Sequence, residues 1–302
     1  MSDTFDVVVI GGGPAGLSAA LNLVRARQRV LLLDGNRPRN AATLNSHGFL
    51  TRDGVSPLEL RKLGREEVAG YDNAEVQFGT VTEVSADDAG FRVKADGIRG
   101  SADRDVLARR VLVATGLTET LPSIGNIRAY YGTALHSCYE CDGFEKAGEP
   151  LAIVGESDDL AQHALLATVW SRDVMVFTNG VGTVTDADER MLAERNIPVE
   201  RREVAEFVGE RGVLTGLRLV DGTVIERTAG FIRPLWHATH SYLSGPQPLT
   251  DDLGLLLVDS GGRTSVPGLY AAGDITPPGP EQLIVAAGAG AQVSAAIVRD
   301  SI

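Results

Sequence analysis

Apolar positions along this chain fall into short runs followed by glycine and then by a helical stripe. Val7 to Ile10 form a β-branched run, suited to a strand buried on both faces. After a glycine turn, Leu17, Ala20, Leu21 and Val24 recur at helical spacing, and Val30 to Leu33 give a second strand that ends at Asp34. The stretch "PLAIVGESDDLAQHALLATVWSRDVMVFTNG", from Pro150, has the same order of strand, turn, helix and strand. Leu269 to Ala272 form another short buried run. From Gln282 the pattern turns helical, with Ala286, Ala287, Gly288 and Gly290 permitting close approach. Residues 80–97 and 203–222 alternate apolar and polar positions around Gly or Asp turns, which predicts β-hairpins. The whole pattern predicts an α/β protein with two Rossmann-like three-layer domains.

Composition bounds the function. The 302 residues give room for two domains, and 43% hydrophobic with 23% charged residues is ordinary for a soluble globular protein. A net charge of −12 removes the electrostatic footing for a nucleic-acid partner. No run approaches 18 uncharged apolar residues, so no membrane span is expected. No basic, apolar leader precedes the first strand, so a cytoplasmic location is expected.

Gly11, Gly13 and Gly16, with Pro14 and Ala15 between them, fit G-x-G-x-x-G after a strand and at the start of a helix. Gly11 lets the chain turn tightly, Gly13 lets the backbone approach a pyrophosphate, and Gly16 lets the helix pack on the sheet. Asp34 stands where a ribose hydroxyl would be held. A turn that only packs leaves Asp34 unexplained, so a dinucleotide site is expected. Arg37 and Arg39, just beyond, are expected in a solvated loop, the alternative being that they fold over a phosphate.

The only two cysteines lie in "HSCYECDGFE", residues 136–145. Half a zinc site, a structural staple and a redox pair compete as explanations. Structural zinc needs four ligands and there is no second cysteine pair, so no metal site is expected. A staple closing so short a loop contributes little entropy. His136 is expected to be a plain loop histidine, the alternative being an imidazolium beside a thiolate. His163 is expected on a helix surface or in packing. Trp236, His237 and His240 are expected mainly to fill space, with a pocket role as the alternative, and His47 is a lesser candidate beside a cofactor.

"VLVATG", Val111 to Gly116, and "YAAGD", Tyr270 to Asp274, complete a set of three motifs with the glycine turn. With "CYECDG" between the second and third, the chain resembles the low-molecular-weight thioredoxin reductase family over nearly all of its length. That resemblance implies FAD bound by a discontinuous domain, 1–116 and 234–302, with a second domain, 117–233, inserted. It implies that Ala114, Thr115 and Gly116 end the middle flavin signature and that Gly273 and Asp274 hold the ribityl chain. The helix starting at Gln282 and Leu283 then points its positive end at the flavin ring. It further implies that Cys141 faces the flavin, Cys138 exchanges with substrate, Asp142 manages the proton, and the protein is a homodimer. The chemistry is consistent: a thiolate is the reactive species, and proton transfer accompanies each electron pair. Between two flavin signatures, redox use of the pair is favoured.

The insert departs from that family's pattern. Ser157 stands at the second glycine position and Leu160 at the last small one, and Thr178, Asn179 and Gly180 replace the family's His-Arg-Arg phosphate grip. Tight NADPH binding is therefore not expected, unless Arg172 or Arg190 supplies the grip. Residues 37–60 are similar to thioredoxin-reductase-like flavoenzymes that oxidise dithiols with oxygen, of the gliotoxin and holomycin type. The expectation is a FAD-dependent thiol–disulfide oxidoreductase acting on a small-molecule or thioredoxin-like dithiol or disulfide, with dithiol oxidation favoured. An NADPH- or ferredoxin-dependent reductase and a redox sensor without turnover are the alternatives.

Overall fold

The computed structural model describes residues 4–87 and 90–302, so the turn of the first predicted hairpin, at 88–89, lies outside the described residues. The chain forms two compact units. Unit 1 takes the chain up to Ala41, then Gly48–Thr118 and His237–Ile302; unit 2 takes Ala42–His47 and Glu119–Trp236.

Unit 1 opens with β1 (Thr4–Ile10), α1 (Pro14–Arg25), β2 (Val30–Asp34), α2 (Pro57–Ala69), β3 (Ala74–Asp87), β4 (Gly90–Gly97) and β5 (Arg104–Val113). β1 runs parallel between β2 and β5, with Val9 opposite both Leu32 and Leu112. The first residues of β3 pair parallel with β2, and the later ones turn to pair antiparallel with β4, which returns along β5. Both faces of β1 are therefore covered. Val7 and Val9 pack with Leu23, Leu32 and Leu112 on the helix side, and Val8 packs with Leu31, Phe91 and Val111 on the other. Leu23, rather than the expected Leu21, completes the fully buried face of α1.

The chain changes unit within two strands, β6 (Leu117–Thr120) and, on return, β15 (Leu235–Ala238), which pair with each other. Unit 2 comprises α3 (Ile127–Tyr130), β7 (Leu135–His136), α4 (Tyr139–Asp142), β8 (Leu151–Gly155), α5 (Leu160–Ala167) and β9 (Val174–Phe177). There follow α6 (Asp186–Ala193), β10 (Val199–Glu200), a meander of β11 (Val204–Glu210), β12 (Val213–Leu219) and β13 (Val224–Glu226), and β14 (Ala229–Arg233). Its parallel sheet has the order β10-β9-β8-β14-β7. Leu151, Ile153 and Phe231 pack with Leu160, Ala161 and Ala164 of α5 on one face. Val154 and Phe177 pack with Phe207 and Leu217 of the meander on the other.

Back in unit 1, β16 (Leu269–Ala271) adds parallel to β5 and α7 (Leu283–Arg299) packs on α1. Gly290 makes that contact possible, because a Cβ there would strike the Ala15 backbone. The parallel sheet of unit 1 thus has the order β3-β2-β1-β5-β16, and it changes direction between β1 and β5. A crevice outside the C-terminal strand ends is the expected ligand site of such a sheet. Among the described residues no helix is long and apolar enough to cross a membrane, and no cluster of three or more His, Cys, Asp or Glu could hold a metal ion.

Candidate functional site

Every residue expected to hold a dinucleotide lies at that one edge of unit 1. Gly11 leaves β1 with φ +115°, and a Cβ there would strike the Ala114 carbonyl, so the glycine turn and the "VLVATG" strand end touch. Gly16 lets α1 approach the Gly11 carbonyl in the same way. Gly13 is different: a Cβ there would meet nothing within 4 Å. It caps α1, which has Pro14 in its first turn, no side-chain cap and no acid in that turn. The first amide groups of α1 are therefore left to an anion. Thr115 and Gly116, with φ +64° at Gly116, carry the chain off β5. Gln282 caps α7, and Leu283 starts it, again without a side-chain cap or an early acid.

Two acids flank this cradle, each with its own arginine. Asp34 is buried; Oδ1 accepts the Asn36 amide at 2.7 Å and Oδ2 pairs with Arg65 at 3.1 Å. Asp274, two residues beyond Tyr270–Ala272 and preceded by Gly273, pairs with Arg39 at 2.8 Å. Arg39 is thus not the solvated loop residue that the sequence led us to expect; the partner 235 positions away was invisible to a local reading. Uncapped helix ends, a side-chain-free approach at Gly13 and two acids able to accept sugar hydroxyls fit FAD.

In unit 2, Cys138 and Cys141 form a disulfide with Cα atoms 5.3 Å apart, and both residues are half-buried. Cys138 caps the short helix α4, so the bond closes its single turn. Between the cysteines, Tyr139 is 2% exposed; its ring stacks on Phe231 at 4.1 Å, His163 at 5.4 Å and Trp170 at 6.2 Å. Its hydroxyl has no hydrogen-bond partner among the described residues, and burial pushes its pKa far above the usual phenol range.

His136 is not a loop histidine either. It ends β7, is 7% exposed, and sets Nδ1 3.0 Å from Asp142 Oδ1. Its Nε2 lies 2.9 Å from the Thr133 carbonyl, which also takes Lys146 Nζ at 2.6 Å. A carbonyl only accepts, so Nε2 must carry a hydrogen. A bare Nδ1 facing a bare carboxylate would be repulsive, so one further proton lies between His136 and Asp142. The Asp142 end of this contact is one residue from Cys141. Spacing alone did not reveal this, because the strand and the helical turn are unrelated elements until the fold apposes them.

Three of the other four histidines have structural partners. His163 Nε2 lies 3.3 Å from Asp159, His240 Nε2 3.0 Å from the Gly254 carbonyl, and His47 Nε2 3.5 Å from Glu145 within unit 2.

The glycine turn of the insert, after β8, is closed by its own side chains. Ser157 donates to Asp159 at 2.6 Å, Asp159 pairs with Arg233, and Asn179 donates to Glu156 at 2.7 Å while accepting the Val204 amide. The hydrogen bond from His163, with those from Arg233 and Ser157, holds the Asp159 carboxyl well below the usual range against burial. Leu160 fills the space that Gly155 and Gly182 leave open. Arg172 precedes β9, at the opposite sheet edge, and Arg190 is exposed on α6. Arg201 and Arg202, which sequence reasoning passed over, directly follow β10 at the edge where β9 also ends. Each is already paired, Arg201 with Glu189 and Arg202 with Glu200 and Asp221. The doublet "RR" after an apolar strand was the available signal.

Comparison with known proteins agrees with this geometry. The sequence signature of the pyridine nucleotide-disulphide oxidoreductases matches residues 5–290. The crystal structure of TrxB from Bacillus anthracis is 38% identical, with a TM-score of 0.89 and 98% of each chain covered. That of HlmI is 37% identical, with a TM-score of 0.90, covering 99% of this chain and 92% of the other. The thioredoxin reductase of Streptomyces clavuligerus is 30% identical over 304 residues, 96% of this chain and 92% of its own.

Proposed function

The chain belongs to the pyridine nucleotide-disulphide oxidoreductase family, FAD-dependent oxidoreductases acting on sulfur, and from that premise we propose that it oxidises dithiols at Cys138–Cys141 without a nicotinamide donor. One observation carries this reading: the insert's glycine turn presents Glu156 and Asp159 where phosphates would bind and braces them with Asn179, Ser157 and Arg233. Ser157 denies phosphate oxygens the backbone and the Glu156 carboxylate repels them, while Asp159 is already occupied by Arg233.

A substrate thiolate attacks the Cys138 sulfur, breaking the Cys138–Cys141 bond and forming a mixed disulfide. Cys141 leaves as a thiolate, and Asp142, the next residue and a partner of His136, is the group we assign to manage its proton. The second substrate thiol attacks the substrate sulfur of the mixed disulfide, releasing Cys138 and closing the substrate's own disulfide. Gly11, Gly13, Gly16, Asp34 and the ends of β5 and β16 would hold FAD, which would supply a two-electron acceptor between the reduced Cys138–Cys141 pair and dioxygen. Overall, dithiol and oxygen become disulfide and hydrogen peroxide. The substrate is a small dithiol or a thioredoxin-like protein, and the working form is a homodimer, as in the family the sequence resembles.

A second reading, an NADPH-dependent thioredoxin reductase, is favoured by Arg201 and Arg202 at the β9 edge and by the name of the Streptomyces clavuligerus relative. Anaerobic titration separates the two. A small dithiol is expected to bleach the flavin while NADPH and NADH at micromolar concentration do not. Rapid bleaching by NADPH alone would overturn the oxidase reading.

A further inference from the structure

In the parallel sheet of unit 1 the strands β2, β1, β5 and β16 run side by side and end at the same edge. The end of β2 is therefore three strand spacings, roughly 14 Å, from the end of β16. The chain leaving β2 nevertheless reaches the residues leaving β16. Arg39 donates from Nη2 and Nε to Asp274 Oδ2 at 2.8 and 3.2 Å, and from Nη2 to the Glu281 carbonyl at 3.3 Å. Asp274 Oδ1 accepts the Glu281 amide at 3.1 Å, so the far end of this link is itself held. Residues 35–39 and the Arg39 side chain therefore link the end of β2 to the segment after β16, which lie on either side of the ends of β1 and β5. Those ends carry Gly11 and Ala114, and they are where the sheet order reverses.

The pair is also of the kind that lasts. The two side chains are 19% and 14% exposed, so solvent and salt screen them less than they screen an open surface pair.

We propose that the Arg39–Asp274 ion pair is a latch that fastens residues 35–39 over the bound FAD and sets how fast it leaves. The latch rests on the FAD reading but assigns something further: a cofactor-retaining residue outside all three flavin motifs, acting on release more than on entry. Arg39 is a positioning residue, since it acts by holding the strap closed through Asp274.

The test uses FAD release from the holoprotein, followed as the rise in flavin fluorescence after dilution. Arg39→Met is expected to release FAD about tenfold faster, as for loss of a charge-assisted bond, with the association rate changed by less than about twofold. Asp274→Asn is expected to do the same, and the double variant to be no faster than the faster single one. A wild-type release rate in Arg39→Met, or rate increases that multiply in the double variant, would overturn the latch. If Arg39→Met is recovered without flavin, Asp274→Asn carries the comparison, and a wild-type release rate there overturns it equally. A wild-type protein that binds no FAD at all would instead be a failure of the FAD reading.

Discussion

The two glycine turns of this chain began from the same strand–turn–helix plan and now differ in what they leave for a ligand. In the first, Gly13 faces open space, α1 lacks an early acid, and the nearby acids Asp34 and Asp274 are each neutralised by an arginine. In the second, Asp159 is likewise paired with an arginine, Arg233, but Ser157 and Asp159 also bond each other and Glu156 is tied to Asn179. Gly155 persists there for a packing reason, because a Cβ would meet Arg233 at 2.7 Å and Leu160 at 2.9 Å. A glycine of a Rossmann-like turn can thus be required by packing alone. The surviving glycine marks the close approach of protein to protein, and the lost one marks the close approach of protein to phosphate.

The largest effect expected comes from giving the first turn the second turn's residue. Gly13→Ser meets no protein atom and no backbone strain, since Gly13 has φ −81°, so the apoprotein should unfold as the wild type does. Its side chain enters the path of the pyrophosphate, and FAD affinity should fall by about 100-fold or more, measured by flavin fluorescence on reconstitution. The reverse change, Ser157→Gly, should leave NADPH-driven bleaching undetected, because Glu156, Asp159 and Asn179 remain. Bleaching restored by that one substitution would mean that the second turn is only crowded, not abandoned, and the contrast drawn above would fail.

Next in size is the contact between Asp142 and His136 beside the disulfide. Asp142→Asn keeps the shape of the carboxylate but cannot share a proton with His136 in the same way. Dithiol-driven flavin reduction should slow by about 100-fold, the lower end of what a positioned acid or base supplies. His136→Gln should slow it less, while the disulfide still forms. A rate for Asp142→Asn within about threefold of wild type, measured by anaerobic stopped flow, would remove the pair from the chemistry.

The same contrast explains what was legible in the sequence. Features built within one element and its turn were readable: the β-branched run before Gly11, the spacing from Gly16 to Asp34, and the short strand before Gly273. So was the second turn's loss of small residues, since Ser157 and Leu160 are local substitutions in a known pattern. Features made by apposing distant elements were not. Arg39 looked like a loop cation because its partner follows another strand, and His136 looked like a loop residue because β7 is only two residues long. Arg201 and Arg202 escaped notice because the expected place for a phosphate grip was the end of β9, not its parallel neighbour β10. Leu21 displaced Leu23 in the predicted stripe because periodicity gives the direction of a face, whereas the packing of α7 on α1 gives its width.

The smallest effect concerns Tyr139, and it bears on why the insert's interior is built as it is. Phe231, His163 and Trp170 enclose its ring, while the hydroxyl has no partner among the described residues. If that cluster serves to hold the cysteine turn on the body of unit 2, only the ring matters. Tyr139→Phe should then raise stability by about 1 kcal/mol, near 2 °C in Tm, because an unsatisfied buried hydroxyl is removed at almost constant shape. Tyr139→Ala should cost about 3 kcal/mol or more, the price of an aromatic cavity. A Tyr139→Phe variant that melts lower than wild type would show that the hydroxyl finds a partner in the working protein. The insert would then retain a polar contact beside its closed nucleotide turn, and the division between a liganded first turn and a purely structural second one would have to be redrawn.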